Sequence, residues 1–493
     1  MRVMGIDLGT GGVRVVICDR AGVVVAQANE SFSAAVDVAP AGPGWHEQDA
    51  GQWWPAAQAA IRAALAQAAR AGAAPDTVSA LAVTSTSGTL ARLDASNRLL
   101  GPALMYNDGR AVEQAGQLNA LAADFNARMG RSFQPSFALC KILWFRQRAP
   151  EAFAQTALWA HAGDYLVGCL TGVYNVSDYS TALKTGYDLL EQRWPDFIAA
   201  QAGIALERLP RVVAPGAVIG QVTAAAAAAT GLRAGTVVRA GMTDASAALL
   251  ASGAAQPGDW NSTLGTTLSI KGIAETLVRD PLGRVYCHLH PLGWWLPGAA
   301  SNVGGERLRE LAGGRSLALL DEQAAARGPS RLVMYPLARR GERFPFIAPD
   351  AEGFVIGAPA DDADLYRACM EGVALTERLC YDVLAGLGAP VGGRIYITGG
   401  GSRSGVWNQL RADALGRQLD RPAQPESAFG AALLAAAGTL YGDVAAAARG
   451  MVRVESVTEP AAGSQAHYDE QYGRFVEACR ARGYLPVRAI ASK

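Results

Sequence analysis

The chain has 493 residues, half of them apolar and 18% charged, and its 44 Lys plus Arg balance its 44 Asp plus Glu. That apolar content supports large buried cores and excludes a mainly disordered chain. A net charge of zero, with no basic stripe, excludes a polyanion binder, so nucleic acid is not an expected partner.

In chain order, Val3 to Asp7 predicts a strand, Leu8-Gly9-Thr10-Gly11-Gly12 a turn, and Val13 to Asp19 a second strand. Arg20-Ala21-Gly22 then turns into a third strand over Val23 to Ala28. Strands joined by glycine-bearing turns read as an antiparallel meander. Gln52 to Ala71 carries apolar residues at helical spacing, and Val78 to Thr84 is a strand running into Ser85-Thr86-Ser87-Gly88-Thr89. Helices and strands alternate from there, as in α/β domains. The short Ala224 to Ala229 run reads as helix.

A second beginning is expected near residue 236. Thr236 to Ala240 is a β-branched strand leading to Gly241-Met242-Thr243-Asp244, followed by a helical Ala245 to Ser252. Trp260 to Gly272 then reads strand, turn, strand, and its Leu264-Gly265-Thr266-Thr267 echoes Leu8-Gly9-Thr10-Gly11. The echo predicts duplicated domains, 1–234 and 235–493, facing each other across a cleft. Ile395 to Thr398 is a further strand, entering Gly399-Gly400-Gly401-Ser402, and Tyr468 to Arg482 is a terminal helix. At ~150 residues per domain the length fits two or three.

The start lacks the apolar core of a signal peptide, and no apolar run reaches the ~20 residues that cross a bilayer. The seven cysteines are scattered without a Cys-x-x-Cys pair. A soluble cytoplasmic protein, with no membrane partner, zinc ribbon or disulfide framework, is the expectation. The five histidines show no metal spacing beyond His288-Leu289-His290, and Trp53-Trp54 and Trp294-Trp295 read as packing residues.

Five short segments carry chemistry. In Asp7-Leu8-Gly9-Thr10-Gly11-Gly12 the glycines let main-chain N–H groups wrap phosphate oxygens, and the threonine adds a donor. A carboxylate beside phosphate implies Mg²⁺ between them; a hairpin that binds nothing is the plainer alternative. Gly265-Thr266 offers the same kind of turn, weak alone. The triple glycine before Ser402, a candidate helix cap, leaves bare backbone for a ring or a phosphate, although such triplets are more often loops. Asp244 is a second strand-end carboxylate, able to take a proton, to cap the next helix, or both. Tyr106-Asn107-Asp108-Gly109-Arg110 holds groups suited to sugar hydroxyls or to an ordinary polar turn.

Together these stretches resemble the FGGY family of carbohydrate kinases, within the ribonuclease-H-like, actin-type ATPase superfamily. The resemblance spans nearly the whole chain: Gly5 to Thr10, Gly44 to Asp49, Leu93-Asp94 with Gly101 to Arg110, and Lys141-Ile142-Leu143-Trp144-Phe145, then Gly341 to Pro345, Glu371 to Ala374, and Gly399 to Ser402 with Trp407-Asn408. One signature is matched in part, since Ala138 stands where a small polar residue or proline is usual.

The resemblance implies an α/β protein of two actin-type domains flanking a catalytic cleft that closes on ATP and a sugar. It assigns Asp244 as general base, Asp7 to Mg²⁺ and the substrate side, and Thr10 and Gly11 to the phosphates. Gly265 and Thr266 meet the phosphates from the second domain, while Gly400, Gly401 and Asn408 line the adenosine pocket. The sugar lies near Ser87, Gly88 and Asp108. Partners implied are the sugar and ATP, with a homodimer left open.

A chaperone-like ATPase of the same superfamily would need no base at Asp244, and a silent sugar sensor would have lost Asp7 or Asp244. Both carboxylates are present. For the sugar, xylulose kinases carry a Gln-Met-His-Gly-like segment where this chain has Thr86-Ser87-Gly88-Thr89, and Trp where it has Tyr106. These features, with Ser177-Asp178-Tyr179 and Ala182 to Tyr187, look more like the D-ribulose kinase branch. The expectation is D-ribulose phosphorylated at O5, with xylulokinase or another sugar or polyol kinase as the alternative.

Overall fold

A computed structural model describes residues 1–72 and 77–485. The chain divides into two compact units. The first comprises Met1–Ala251, His288–Gly293 and Gln424–Val452, and the second Ser252–Cys287, Trp294–Ala423 and Arg453–Lys493.

In the first unit the expected meander forms: β1 (Arg2–Gly9), β2 (Gly12–Cys18) and β3 (Val24–Ser31) pair antiparallel in sequence. β4 (Val78–Ser85) lies parallel to β1 on its other side, followed outward by β5 and β6, with β6 (Val237–Arg239) next to β4 and β5 (Val218–Gln221) beyond it. This corrects the expected boundary between residues 234 and 235. The strand at 237–239 does not open a second domain; it completes the first sheet, because its main chain is hydrogen-bonded to Ala80–Ala82.

Side chains alternate across β1. Met4, Ile6 and Leu8 join Val13, Val15 and Ile17 in a core capped by the helix Trp53–Arg70, which buries Trp53, Ile61 and Leu65. The other face, bearing Gly5 and Asp7, meets the helix Ser427–Ala436. That approach is so close that a Cβ on Gly5 would lie 1.8 Å from the Ala428 carbonyl oxygen, and one on Gly430 1.9 Å from that of Ala247. Only glycine admits this packing.

A smaller antiparallel sheet follows β4, with Leu90–Leu93 between Ala103–Leu104 and Leu158–His161. The segment 86–89 therefore spans from the large sheet to the small one.

The second unit repeats the theme. β7 (Trp260–Leu264) and β8 (Leu268–Gly272) form a hairpin, β9 (Trp295–Ser301) pairs with β8, and β10 (Ile395–Thr398) lies parallel to β7. β11 (Leu419–Pro422) and β12 (Val454–Thr458) extend the sheet. In each unit, then, a hairpin with a Gly-Thr turn has a parallel strand beside its first member. The helices Asp362–Gly386 and Gly405–Leu415 are joined by a fully buried pair, Arg411 to Glu377, that also holds Ser262 of β7. Among the described residues no helix is long and apolar enough to cross a membrane.

Candidate active site

β1, β4 and β6 are neighbouring parallel strands, and their carboxyl ends release Asp7–Gly9, Ser85–Gly88 and Gly241–Asp244. In open α/β sheets, ligands collect at such ends. Asp244 therefore belongs to the same unit as Asp7, not to an opposing domain as expected. Its approach is pinned from two sides: Thr84 Oγ1 donates to the Met242 carbonyl at 2.5 Å, and the Thr243 N–H donates to Ser180 Oγ at 2.9 Å. Thr243 also bridges to Ser85. Asp244 itself opens the helix Asp244–Ser252, half-buried, with Oδ1 accepting the Ala245 N–H at 2.6 Å.

Asp7 is 4% exposed. Its Oδ2 lies 3.6 Å from Arg14 Nη1, and its buried Oδ1 has no hydrogen-bond partner. Burial first, then the charge of Asp244, outweigh the pull of Arg14; Glu426 adds to them, and the carboxyl is lifted to about 7. A carboxylate kept from ionising by burial and a second carboxylate is the electrostatic complement of a divalent cation. Among the described residues no group of three or more His, Cys, Asp or Glu forms a metal cage. The orphan oxygen of Asp7 nevertheless fits Mg²⁺, which is commonly held by one or two carboxylates plus substrate phosphates and water.

Thr10 and Gly11 occupy the exposed β1–β2 turn, and space beside Gly11 is open. The turn is anchored by buried Gln48, whose Nε2 donates to the Thr10 carbonyl at 2.8 Å and to Asp37 Oδ1 at 3.0 Å.

The segment 86–89 is held from within. Thr86 Oγ1 and Thr89 Oγ1 are hydrogen-bonded at 2.7 Å, so the Thr86 hydroxyl is used inside the loop. Ser87, half-buried, is the hydroxyl that remains. Gly88 has φ +89°, a left-handed conformation, and a Cβ there would lie 3.1 Å from Lys184 Cδ. Lys141 Nζ donates to the Gly88 carbonyl at 3.0 Å and the Met105 carbonyl at 2.5 Å, and Lys184 Nζ donates to the Ser87 carbonyl at 3.1 Å.

Asp108 departs from expectation. It is fully buried, accepts the His46 N–H at 2.7 Å, and is bound by Arg110 through Nε and Nη2. Arg110 also reaches Glu47 at 2.7 Å and lies over the Trp45 ring at 3.7 Å. A carboxylate so occupied holds the loop in shape; Tyr106 and Asn107 are the exposed members.

In the second unit, Gly265 and Thr266 form the β7–β8 turn. The Gly305 N–H donates to the Gly265 carbonyl at 2.9 Å, and Arg309 Nη2 donates to Thr266 Oγ1 at 2.7 Å. Gly399, after β10, lies against the main chain of Leu264, so the turn and the triple glycine meet at adjacent strand ends. Space beside Gly400 is open, whereas Gly401 lies against the Leu264 side chain. Asn408 donates to the Ser402 carbonyl at 2.8 Å, and its buried Oδ1 has no partner. The helix cap is Ser404, not Ser402: Ser404 Oγ accepts the Trp407 N–H at 3.0 Å, while Ser402 Oγ turns back to the Gly399 carbonyl.

Sequence reasoning missed Lys141, Lys184, Ser180 and Gln48. Lys141 and Lys184 fall within family-like stretches of the chain, but only the folded structure shows which carbonyls they reach.

The N-terminal domain model of the FGGY family of carbohydrate kinases matches residues 2–251, and the C-terminal domain model matches residues 283–439. The chain is similar to a xylulose kinase of Escherichia coli (strain K12), 30% identical over 85% of each chain. Among solved structures it is similar to a xylulose kinase from Rhodospirillum rubrum, 29% identical with TM-score 0.87, covering 98% of this chain and 99% of that one. A structure described as a xyloylose kinase from Brucella ovis is 27% identical with TM-score 0.88, covering 99% and 100%.

Proposed function

The chain belongs to the FGGY family of carbohydrate kinases, with the family's two-domain actin-type α/β fold and its ATP-dependent phosphotransfer to a sugar, and we propose that its acceptor is a ketopentose, activated by Asp244. The observation that carries this reading is the convergence of Asp7, the Ser87-Gly88 loop and Asp244 at the carboxyl ends of three neighbouring parallel strands.

In this reading Asp244 accepts the proton of the attacking hydroxyl, whose oxygen bonds to the γ-phosphorus as the bond to the ADP leaving oxygen breaks. The Thr84 and Ser180 bonds keep the Asp244 main chain in register with the sugar loop. Mg²⁺, when bound, offsets charge on the phosphate oxygens. Asp7 would hold it, and Thr10 and Gly11 would offer donors to the phosphates. In the second unit Gly265, Thr266, Gly400, Gly401 and Asn408 are the residues assigned to the nucleotide; the orphan Oδ1 of Asn408 is an acceptor for a donor on the base or ribose.

For the sugar we favour D-ribulose, phosphorylated at O5. Ser87 presents a short hydroxyl, with neither imidazole nor long amide in 86–89. A site built for one hydroxyl configuration leaves polar groups unpaired with the epimer, at ~1–3 kcal/mol each. D-xylulose is the second reading, favoured by the similarity to xylulose kinases. Coupled ADP release across D-ribulose, D-xylulose, L-ribulose, pentitols and glycerol tests both. Turnover confined to glycerol or pentitols overturns the ketopentose reading; a higher kcat/KM for D-xylulose or L-ribulose than for D-ribulose overturns the sugar assignment alone.

A further inference from the structure

We propose that Lys141 and Lys184 are positioning residues that fix the main chain at Ser87-Gly88, and through it the hydroxyl selectivity of the sugar loop. The inference rests on the ketopentose kinase reading above and deepens it.

Two successive carbonyls of the loop are captured by lysine amines: Ser87 by Lys184 at 3.1 Å and Gly88 by Lys141 at 3.0 Å. In a trans peptide the N–H of the next residue points opposite the carbonyl. Holding the Ser87 carbonyl therefore aims the Gly88 N–H away from Lys184 and fixes where the Ser87 side chain departs. Gly88, at φ +89°, is free to swing unless something holds it. Lys141 also holds the Met105 carbonyl, so one side chain sets the spacing between 86–89 and the loop bearing exposed Tyr106 and Asn107.

Both lysines are costly as mere packing. Lys141 is fully buried, and its amine is drawn down to about 7 by burial, with Asp108 opposing that shift. Asp108 spends its hydrogen bonds on Arg110 and the His46 N–H. A methionine would fill the same volume without desolvating a charge. Lys184 is half-buried, lies 5.7 Å over the Phe137 ring, and is within electrostatic reach of Asp244.

The test uses the full-length enzyme with Lys184→Met, Lys141→Met and the charge-keeping Lys184→Arg. Ketopentose KM should rise about 10- to 100-fold in the Met variants, as for a lost charge-assisted hydrogen bond, with ATP KM within twofold. The D-ribulose to D-xylulose ratio of kcat/KM should move toward one, and Lys184→Arg should recover part of it. If Lys141→Met does not fold, Lys184→Met and Lys184→Arg decide. A Lys184→Met enzyme with wild-type sugar KM and epimer ratio overturns the proposal, as does an equal loss for sugar and ATP. Wild-type turnover tests the functional reading; the ratio of variant to wild type, on whichever sugar or polyol the wild type accepts, tests this one.

Discussion

Ser180 Oγ accepts the Thr243 N–H at 2.9 Å, across 63 residues of chain, immediately before Asp244. Ser180 is fully buried, so no water replaces that acceptor. Ser180→Ala should cost about 1–3 kcal/mol of stability, as for a stranded buried donor. It should also lower kcat more than it changes ATP KM, because the proposed base loses its brace. Urea denaturation with steady-state kinetics measures both, and unchanged kcat would detach Ser180 from catalysis.

Asp244→Asn keeps the shape and the Ala245 contact but cannot take a proton. Phosphoryl transfer should fall ~10²–10⁴-fold, with nucleotide affinity by calorimetry largely intact. Activity within a few-fold of wild type would remove Asp244 from its role.

Asp7 carries a stability cost with a definite sign. Its folded pKa of about 7 stands above the model-peptide 3.8, so between those values the folded chain binds more protons. The group therefore subtracts stability as pH rises from about 4 to 7, and the loss is complete above 7. Asp7→Asn should stabilise the ligand-free protein at pH 8 by on the order of 1–4 kcal/mol and leave it unchanged near pH 4. The same variant, and Asp7→Ala, should need more Mg²⁺ for nucleotide turnover while binding sugar nearly normally. Identical melting at both pH values, or superimposable Mg²⁺ titrations, would contradict this.

Ser87→His introduces an imidazole into the space of a hydroxyl. D-ribulose kcat/KM should drop at least tenfold, the effect of roughly 1.4 kcal/mol, while D-xylulose turnover falls less. A parallel loss for both sugars would show that residue 87 does not discriminate between them.

Arg411 and Glu377 are both fully buried, paired at 2.7 Å and 3.0 Å. Glu377→Leu strands the guanidinium and should cost about 3–5 kcal/mol. Adding Arg411→Met should recover much of the loss, which chemical denaturation of the single and double variants reads directly.

The elements and the inventory of reactive groups are legible in the chain alone. The hairpins at Thr10 and Gly265 declare themselves through local turn chemistry, and the family's motifs recur in order along the chain. Tertiary structure decided their partnerships. Thr236 to Ala240 read as the opening of a new domain because strand propensity is local, whereas membership of a sheet is set by long-range pairing, here with Ala80–Ala82. That pairing moved Asp244 into the unit of Asp7, where burial first and then the Asp244 charge raise the Asp7 pKa. Likewise Asp108 and Thr86 have the chemistry of sugar ligands, but Arg110, the His46 N–H and Thr89 claimed their hydrogen bonds first. A buried polar group must satisfy itself with whatever the fold brings near, and which neighbour that is depends on contacts tens of residues away.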